Sequence, residues 1–278
     1  MTDEQATSAS GPEPITVPPT MSAVVIDAYG GPEQLHLKTV PTPKPGEDEV
    51  LIDVEAAGVD RGVWHLMTGL PLLVRLGFGF ARPKVPTPGF DVAGTVVAIG
   101  PEATKFKVGD EVYGIGTKTF AEYAVAPESK LIAKPTSMTW EEAGGATVSG
   151  ITAFEALSSV AEVEAGQRVL VLGAAGGVGS FATQIAHHAG AEVVGVASAA
   201  KADFVRSLGA QACLDYRADN IVDLASPHGP FDVILNAGSL NKISALRSLL
   251  TPQGTLVLIG ARGATSSPVD SNVPSSLV

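Results

Sequence analysis

Along the first half of the chain, apolar residues recur in short runs of strand character. AVVIDAY (23–29), EVLIDVEAAG (49–58), VAGTVVAIG (92–100), DEVYGI (110–115) and FAEYAVA (120–126) are rich in Val and Ile and are broken by Gly and Pro. In EVLIDVE, Val50, Ile52 and Val54 alternate with Leu51, Asp53 and Glu55, which predicts a strand with one more polar face. One short helix, DRGVWHLMTG, interrupts the strands and is entered at Asp60. After Pro135 the period lengthens. WEEAGGATVSGITAFEALSSVAEV (140–163) is helical, with one awkward Gly pair. Strand and helix then alternate: RVLVL, a helix through Ala189, EVVGVA, a helix over KADFVRSLG, a brief ACL, DVILNA, a helix over NKISALRSLL, and TLVLIG. That alternation predicts a parallel sheet with crossover helices.

The expected organisation is an N-terminal tail over residues 1–20, a β-rich domain over 21–140, an α/β domain over 141–262 and an irregular, Ser/Pro-rich tail over 263–278. The first twenty residues are poor in large apolar side chains and carry neither a secretory apolar stretch nor transit-peptide arginines.

Composition narrows the partners. A formal charge of −11 disfavours nucleic acid. No apolar run reaches membrane-spanning length, so no membrane partner is expected. The single cysteine, Cys213, excludes a disulfide framework and any multi-cysteine zinc site and fits a reducing, cytoplasmic setting. It falls on the predicted third strand of the α/β half, as a small core residue.

The most informative stretch is RVLVLGAAGGVGS (168–180). Gly173, Gly176 and Gly179 follow a strand and open a helix, with Gly177 as an extra glycine and Val178 on the face turned to the sheet. Small residues are required where backbone approaches a pyrophosphate and where helix meets strand, and the helix N-terminus offers free N–H groups to an anion. The context is that of a dinucleotide loop. At the end of the next strand, NAD binders commonly carry Asp or Glu for the ribose 2′-hydroxyl. This chain has Ala197, Ser198, Ala199, Ala200 and Lys201. No carboxylate there repels a 2′-phosphate, Ser198 can donate a hydrogen bond and Lys201 supplies charge, so NADP(H) is the expected cofactor. Tyr216 and Arg217 follow the third strand, near the adenosine end. Asn236 and Ala237 close the fourth strand and Ile259, Gly260 and Ala261 the fifth, where a dinucleotide lies in an open α/β sheet.

Several stretches together resemble the medium-chain dehydrogenase/reductase superfamily, in its zinc-independent quinone oxidoreductase and enoyl reductase branch. They are AAGVDRGVWHLMTG, PGFDVAGTVVAIG, KVGDEVYG, TFAEYAVAP, GITAFEAL, VLGAAGGVGSFATQIA, VRSLGA, LDYR and GTLVLIG, in family order from about Met21 to Gly260. The resemblance implies an α/β protein with an N-terminal GroES-like β-barrel domain and a C-terminal Rossmann domain, a doubly wound parallel sheet, with the active site between them. It implies hydride transfer from NADPH to a small-molecule quinone or enone. Zinc members carry Cys where this chain has Asp60 and Gly-His-Glu where it has Gly89, Phe90 and Asp91, so no zinc is expected. Two other readings stay open: reduction of a carbonyl to an alcohol without zinc, and a non-catalytic NADPH-binding protein or inactive relative.

Candidate catalytic residues are Asp60 and His65. The resemblance places Asp60 by the nicotinamide; its local role is to cap the helix. His65 stands where relatives carry Tyr or Lys facing substrate, and an imidazole can donate a proton. Thr152 matches a position near the nicotinamide, or is a helix-interior Thr. His187 and His188, adjacent on a helix, cannot both face one metal; His36 and His228 fall at turns. The segment 70–89 reads as a lid over the cleft or a loop packed on the barrel. Family dimers pair through a last Rossmann strand that is not recognisable after Gly260, so a homodimer is possible but not expected through that strand.

Overall fold

The structure, a computed structural model, describes residues 16–70, 72–238 and 241–259. Most of the two tails, together with Gly260 and Ala261, lies outside the described residues. The ordered chain begins with an antiparallel hairpin of β1 (Thr20–Ile26) and β2 (Leu35–Pro41), in which His36 faces Val25. His36 therefore sits on a strand, not at a turn. β2 escapes the sequence pattern because almost all of its residues are exposed, leaving no alternation to read.

Five strands make the main sheet of the first half: β3 (Glu49–Ala56), β4 (Asp91–Ile99), β5 (Glu111–Ile115), β6 (Tyr123–Pro127) and β7 (Leu131–Ala133), in the order β6-β3-β4-β5-β7 and all antiparallel. Val50, Ile52, Val92, Val96, Val112 and Leu131 pack as its core. Between β3 and β4 lie two short helices, α1 (Arg61–Thr68) and α2 (Val74–Phe78).

Helix α3 (Trp140–Phe154) connects the halves and continues into a π-helical segment over Glu155–Val160. It starts in a capping box: Thr139 Oγ1 accepts from the Glu142 N–H at 3.2 Å and Glu142 Oε2 accepts from the Thr139 N–H at 2.9 Å. The awkward Gly pair has a cause at its first member. A Cβ on Gly144 would lie 2.7 Å from the Ala56 Cβ, so glycine lets α3 press on the end of β3; Gly145 faces open space.

The second half is a parallel sheet. Its elements are β8 (Arg168–Leu172), α4 (Gly177–His188), β9 (Glu192–Ala197), α5 (Ala202–Ser207), β10 (Ala212–Asp215), α6 (Ile221–Ala225), β11 (Phe231–Asn236), α7 (Ile243–Arg247) and β12 (Leu250–Leu258). The strand order β10-β9-β8-β11-β12 reverses direction of winding at β8, which makes this the expected doubly wound fold. Alternate residues feed opposite layers. Val169, Val171 and Val193 pack with residues of α3 and α4, whereas Leu170, Leu172 and Val194 pack toward Ile221 and Leu246. Cys213 on β10 borders the first of these layers, and burial pushes its thiol pKa up. Among the described residues, β12 is an edge strand, and no helix is long and apolar enough to cross a membrane.

Because α3 serves both halves, its cap matters beyond one helix. Thr139→Ala is expected to lower unfolding free energy by about 1 kcal/mol, read from the shift in denaturant midpoint at unchanged m-value.

Candidate active site

The parallel register fixes where the strand ends meet. Leu172 pairs with Val196 and Asn236, Ala197 with Asp215, and Asn236 with Leu258. The residues that follow (Gly173, Ser198, Tyr216, Ala237 and Ile259) therefore emerge along one edge of the sheet. A cleft of about 860 Å³ opens there, lined by Gly173, Gly176, Ser198, Tyr216 and Ala237 among others.

The glycine loop is built for a close approach. Gly173 has φ +83°, and its carbonyl accepts from the Gly176 N–H at 2.9 Å. A Cβ on Gly179 would lie 2.0 Å from that same carbonyl oxygen, and one on Gly177 would lie 2.6 Å from Ser149 Oγ of α3. These two glycines thus hold α4 against β8 and α3 rather than lining the cleft, and Val178 borders the core. Helix α4 has no side-chain cap at Gly176, unlike α1, α3 and α6. Its uncapped N-terminus beside the cleft suits a pyrophosphate, and the volume and residues present fit a dinucleotide.

At the ribose end, Lys201 is exposed in the turn after Ser198, and the Arg217 guanidinium lies 5.4 Å over the Tyr216 ring. Neither Lys201 nor Asn236 lines the cleft. Asn236 Oδ1 accepts from the Gly238 N–H at 3.4 Å, and its carbonyl from the Ile259 N–H at 3.0 Å. Thr152 donates its hydroxyl to the Val148 carbonyl at 2.6 Å, the helix-interior arrangement, and is not among the cleft residues. Sequence reasoning missed Asp219, Asn220 and Asn241, which also line the cleft. Asn220 was legible as a cap: its side chain accepts from the Val222 N–H at 2.9 Å and starts α6.

The candidate catalytic residues sit on α1. Asp60 is its N-cap, with Oδ1 accepting from the N–H groups of Gly62 and Val63, while Oδ2 is buried without a hydrogen-bond partner. His65 Nδ1 lies 2.5 Å from the Leu70 carbonyl oxygen. A carbonyl only accepts, so Nδ1 carries the proton, leaving Nε2 as the nitrogen able to take or release a second one.

A further acid, Asp91, joins this group. It opens the otherwise apolar β4, is 1% exposed, and accepts from the Val148 N–H of α3 at 2.7 Å. Burial raises its pKa to about 6; the Val148 bond opposes the rise and the charge of Asp60 adds to it. The signal was an acid heading the strand DVAGTVVAI.

Residues 46–136 match the alcohol dehydrogenase GroES-like domain family and residues 177–277 the zinc-binding dehydrogenase family. Human quinone oxidoreductase is 34% identical over 251 residues, which cover 87% of this chain and 74% of that one. The chloroplastic NADPH-dependent alkenal/one oxidoreductase of Arabidopsis thaliana is 34% identical over 273 residues, covering 89% and 68%. A mycobacterial protein solved in complex with NADPH superimposes with a TM-score of 0.78 at 33% identity, covering 90% of this chain and 76% of that one.

The chain belongs to the quinone oxidoreductase branch of the medium-chain dehydrogenase/reductase superfamily. It is an oxidoreductase. Its first half is the GroES-like domain of that family and its second the Rossmann domain. The zinc site of other members does not fit the residues present. Asp60 and Phe90 stand where the resemblance implies its Cys and His, Asp60 and Asp91 each have Oδ1 on a backbone amide, and no group of three or more His, Cys, Asp or Glu among the described residues could hold a metal.

The raised pKa of Asp91 has a signed consequence. The folded chain holds this proton up to about pH 6, whereas the unfolded chain releases it near 3.8. Stability from this group is complete below pH 4 and is lost as pH rises to about 6. Asp91→Asn keeps an acceptor for Val148 and removes the titration. Relative to it, the native chain is expected to lose up to about 3 kcal/mol between pH 4 and 6, measured by denaturation at each pH; parallel curves would contradict this.

Proposed function

We propose that this protein is an NADPH-dependent reductase that transfers hydride to a quinone or an activated alkene without a metal. The uncapped α4 N-terminus over an approximately 860 Å³ cleft at the strand ends carries the reading. The NADPH dependence of the Arabidopsis thaliana relative and the NADPH bound to the mycobacterial protein support the choice of cofactor. NADPH, when bound, supplies the hydride. The amides of the first turn of α4 hold its pyrophosphate, and Ser198, Lys201 and the Tyr216–Arg217 pair receive the 2′-phosphate. The buried, unpartnered Oδ2 of Asp60 is the polar group left to orient the reacting end. His65 Nε2, when protonated, delivers the proton that accompanies hydride, so that the acceptor gains two electrons and charge balances. Reduction then depends on holding donor and acceptor together in a dry cleft.

The first test is NADPH oxidation by the purified chain, with a chelator present, against an ortho-quinone and an α,β-unsaturated ketone, with NADH as control. Turnover that survives chelation is expected. A folded, NADPH-binding chain without turnover would make it a binding protein. In the Lys201→Ala variant, NADPH affinity is expected to fall about tenfold while NADH affinity stays unchanged; equal effects on both would remove Lys201 from 2′-phosphate recognition.

A further inference from the structure

Between Asp60 and Asp91 the chain carries four basic residues (Arg61, Arg75, Arg82 and Lys84) and no acid, in a protein with 29 acids. Within that segment six apolar side chains on α2 and its flanks are exposed. Leu72 is 66% exposed, Leu73 77%, Leu76 71% and Phe80 79%, with Leu70 and Phe78 exposed as well. Isolated exposed apolar residues are ordinary, but six within eleven positions form a patch that marks a contact.

The patch is held out by its base. The Arg75 guanidinium stacks 4.4 Å over the Tyr29 ring and its Nε donates to the Gly69 carbonyl at 3.1 Å. The Tyr29 hydroxyl donates to the Gly79 carbonyl at 2.5 Å, and the Lys84 N–H to the Phe78 carbonyl at 2.8 Å. A five-residue helix is unstable alone. Polar contacts fix this one while its single leucine, Leu76, stays largely exposed. Burial of these six apolar side chains of residues 70–80 is thus not what holds this tip in place.

We propose that this tip docks the protein on an anionic lipid surface. Residues 69–82 contain no uncharged polar side chain, whereas a protein interface needs about one hydrogen bond per 100–200 Å². Leu and Phe at the tip with Arg82 and Lys84 behind them match an interfacial anchor, whose apolar side enters the acyl boundary and whose cations meet the headgroups. Arg82 and Lys84 are exposed and have no ion pair among the described residues. The acids elsewhere are screened beyond roughly 8 Å at physiological salt. A membrane partner was not expected from sequence because no segment can span, but surface docking needs no span. The tip also begins at Leu70, whose carbonyl accepts from His65 Nδ1, so docking brings the bilayer to the residue hydrogen-bonded to the candidate proton donor. That the acceptor is then a lipophilic quinone or enone drawn from the bilayer rests on the reductase reading; the docking does not.

The test is flotation of the full chain with phosphatidylcholine vesicles, with and without anionic phosphatidylglycerol. Binding to the anionic vesicles alone, lost in high salt, is expected. The exposed-site variants Leu73→Asp/Leu76→Asp and Arg82→Glu/Lys84→Glu should each bind at least about tenfold more weakly with unchanged melting temperature and NADPH turnover. Equal binding to neutral vesicles, or no binding by the native chain, would overturn the proposal. So would a self-associated native chain that both variants dissociate, which would assign the patch to a second copy. Turnover with soluble acceptors is read separately, so loss of docking leaves the reductase reading standing and loss of turnover leaves docking standing.

Discussion

One backbone contact organises the second half of the molecule: the first turn of α4 lies against the loop leaving β8. With a Cβ on Gly179 only 2.0 Å from the Gly173 oxygen, the two segments meet without side chains between them. This closeness aims the α4 N-terminus at the sheet edge, where parallel register has already gathered the ends of five strands. It also leaves the Gly179 carbonyl accepting from the buried Thr183 hydroxyl at 2.9 Å, so no polar group is stranded. Gly177, two residues earlier, abuts Ser149 of α3. The position of α3 is therefore set from the same turn.

From α3 the constraint passes to the first domain. Val148 donates to Asp91, and Gly144 presses on Ala56. Asp91 is an unusual choice for such a joint. A buried carboxylate is penalised by desolvation, and a second acid nearby increases the penalty. The joint between the Rossmann and GroES-like domains is thus a titrating contact, close enough to the N-cap of α1 for the charge of Asp60 to be felt. The packing of α3 on the first domain therefore involves a protonation state that the surrounding apolar core would not by itself require.

What could be read in advance followed from strong local rules. The glycine spacing, the Val-rich parallel strands and the Asp60 cap each leave a short-range signature, and each reappears in the structure. What could not be read depended on tertiary context. β2 has no buried face, β7 is three residues long, and neither carries a period. The cleft residues Asp219 and Asn220 come from a turn that only the sheet register brings to the site. Thr152 matches a motif position, and its hydroxyl donates within its own helix, a contact that the motif does not report. The apolar segment after α1 was visible as composition, but its outward orientation comes from Arg75 and Tyr29, forty-six residues apart in sequence.

The double use of Asp60 bears on how such a protein can change over generations. The side chain that stands where metal-dependent relatives hold a cysteine is also the one that caps α1. Cysteine is outside the set of favoured capping residues. An Asp60→Cys substitution would remove the acceptor for the Gly62 and Val63 amides and loosen the first turn of α1. Change at this position is therefore constrained by helix stability, whatever chemistry the site performs.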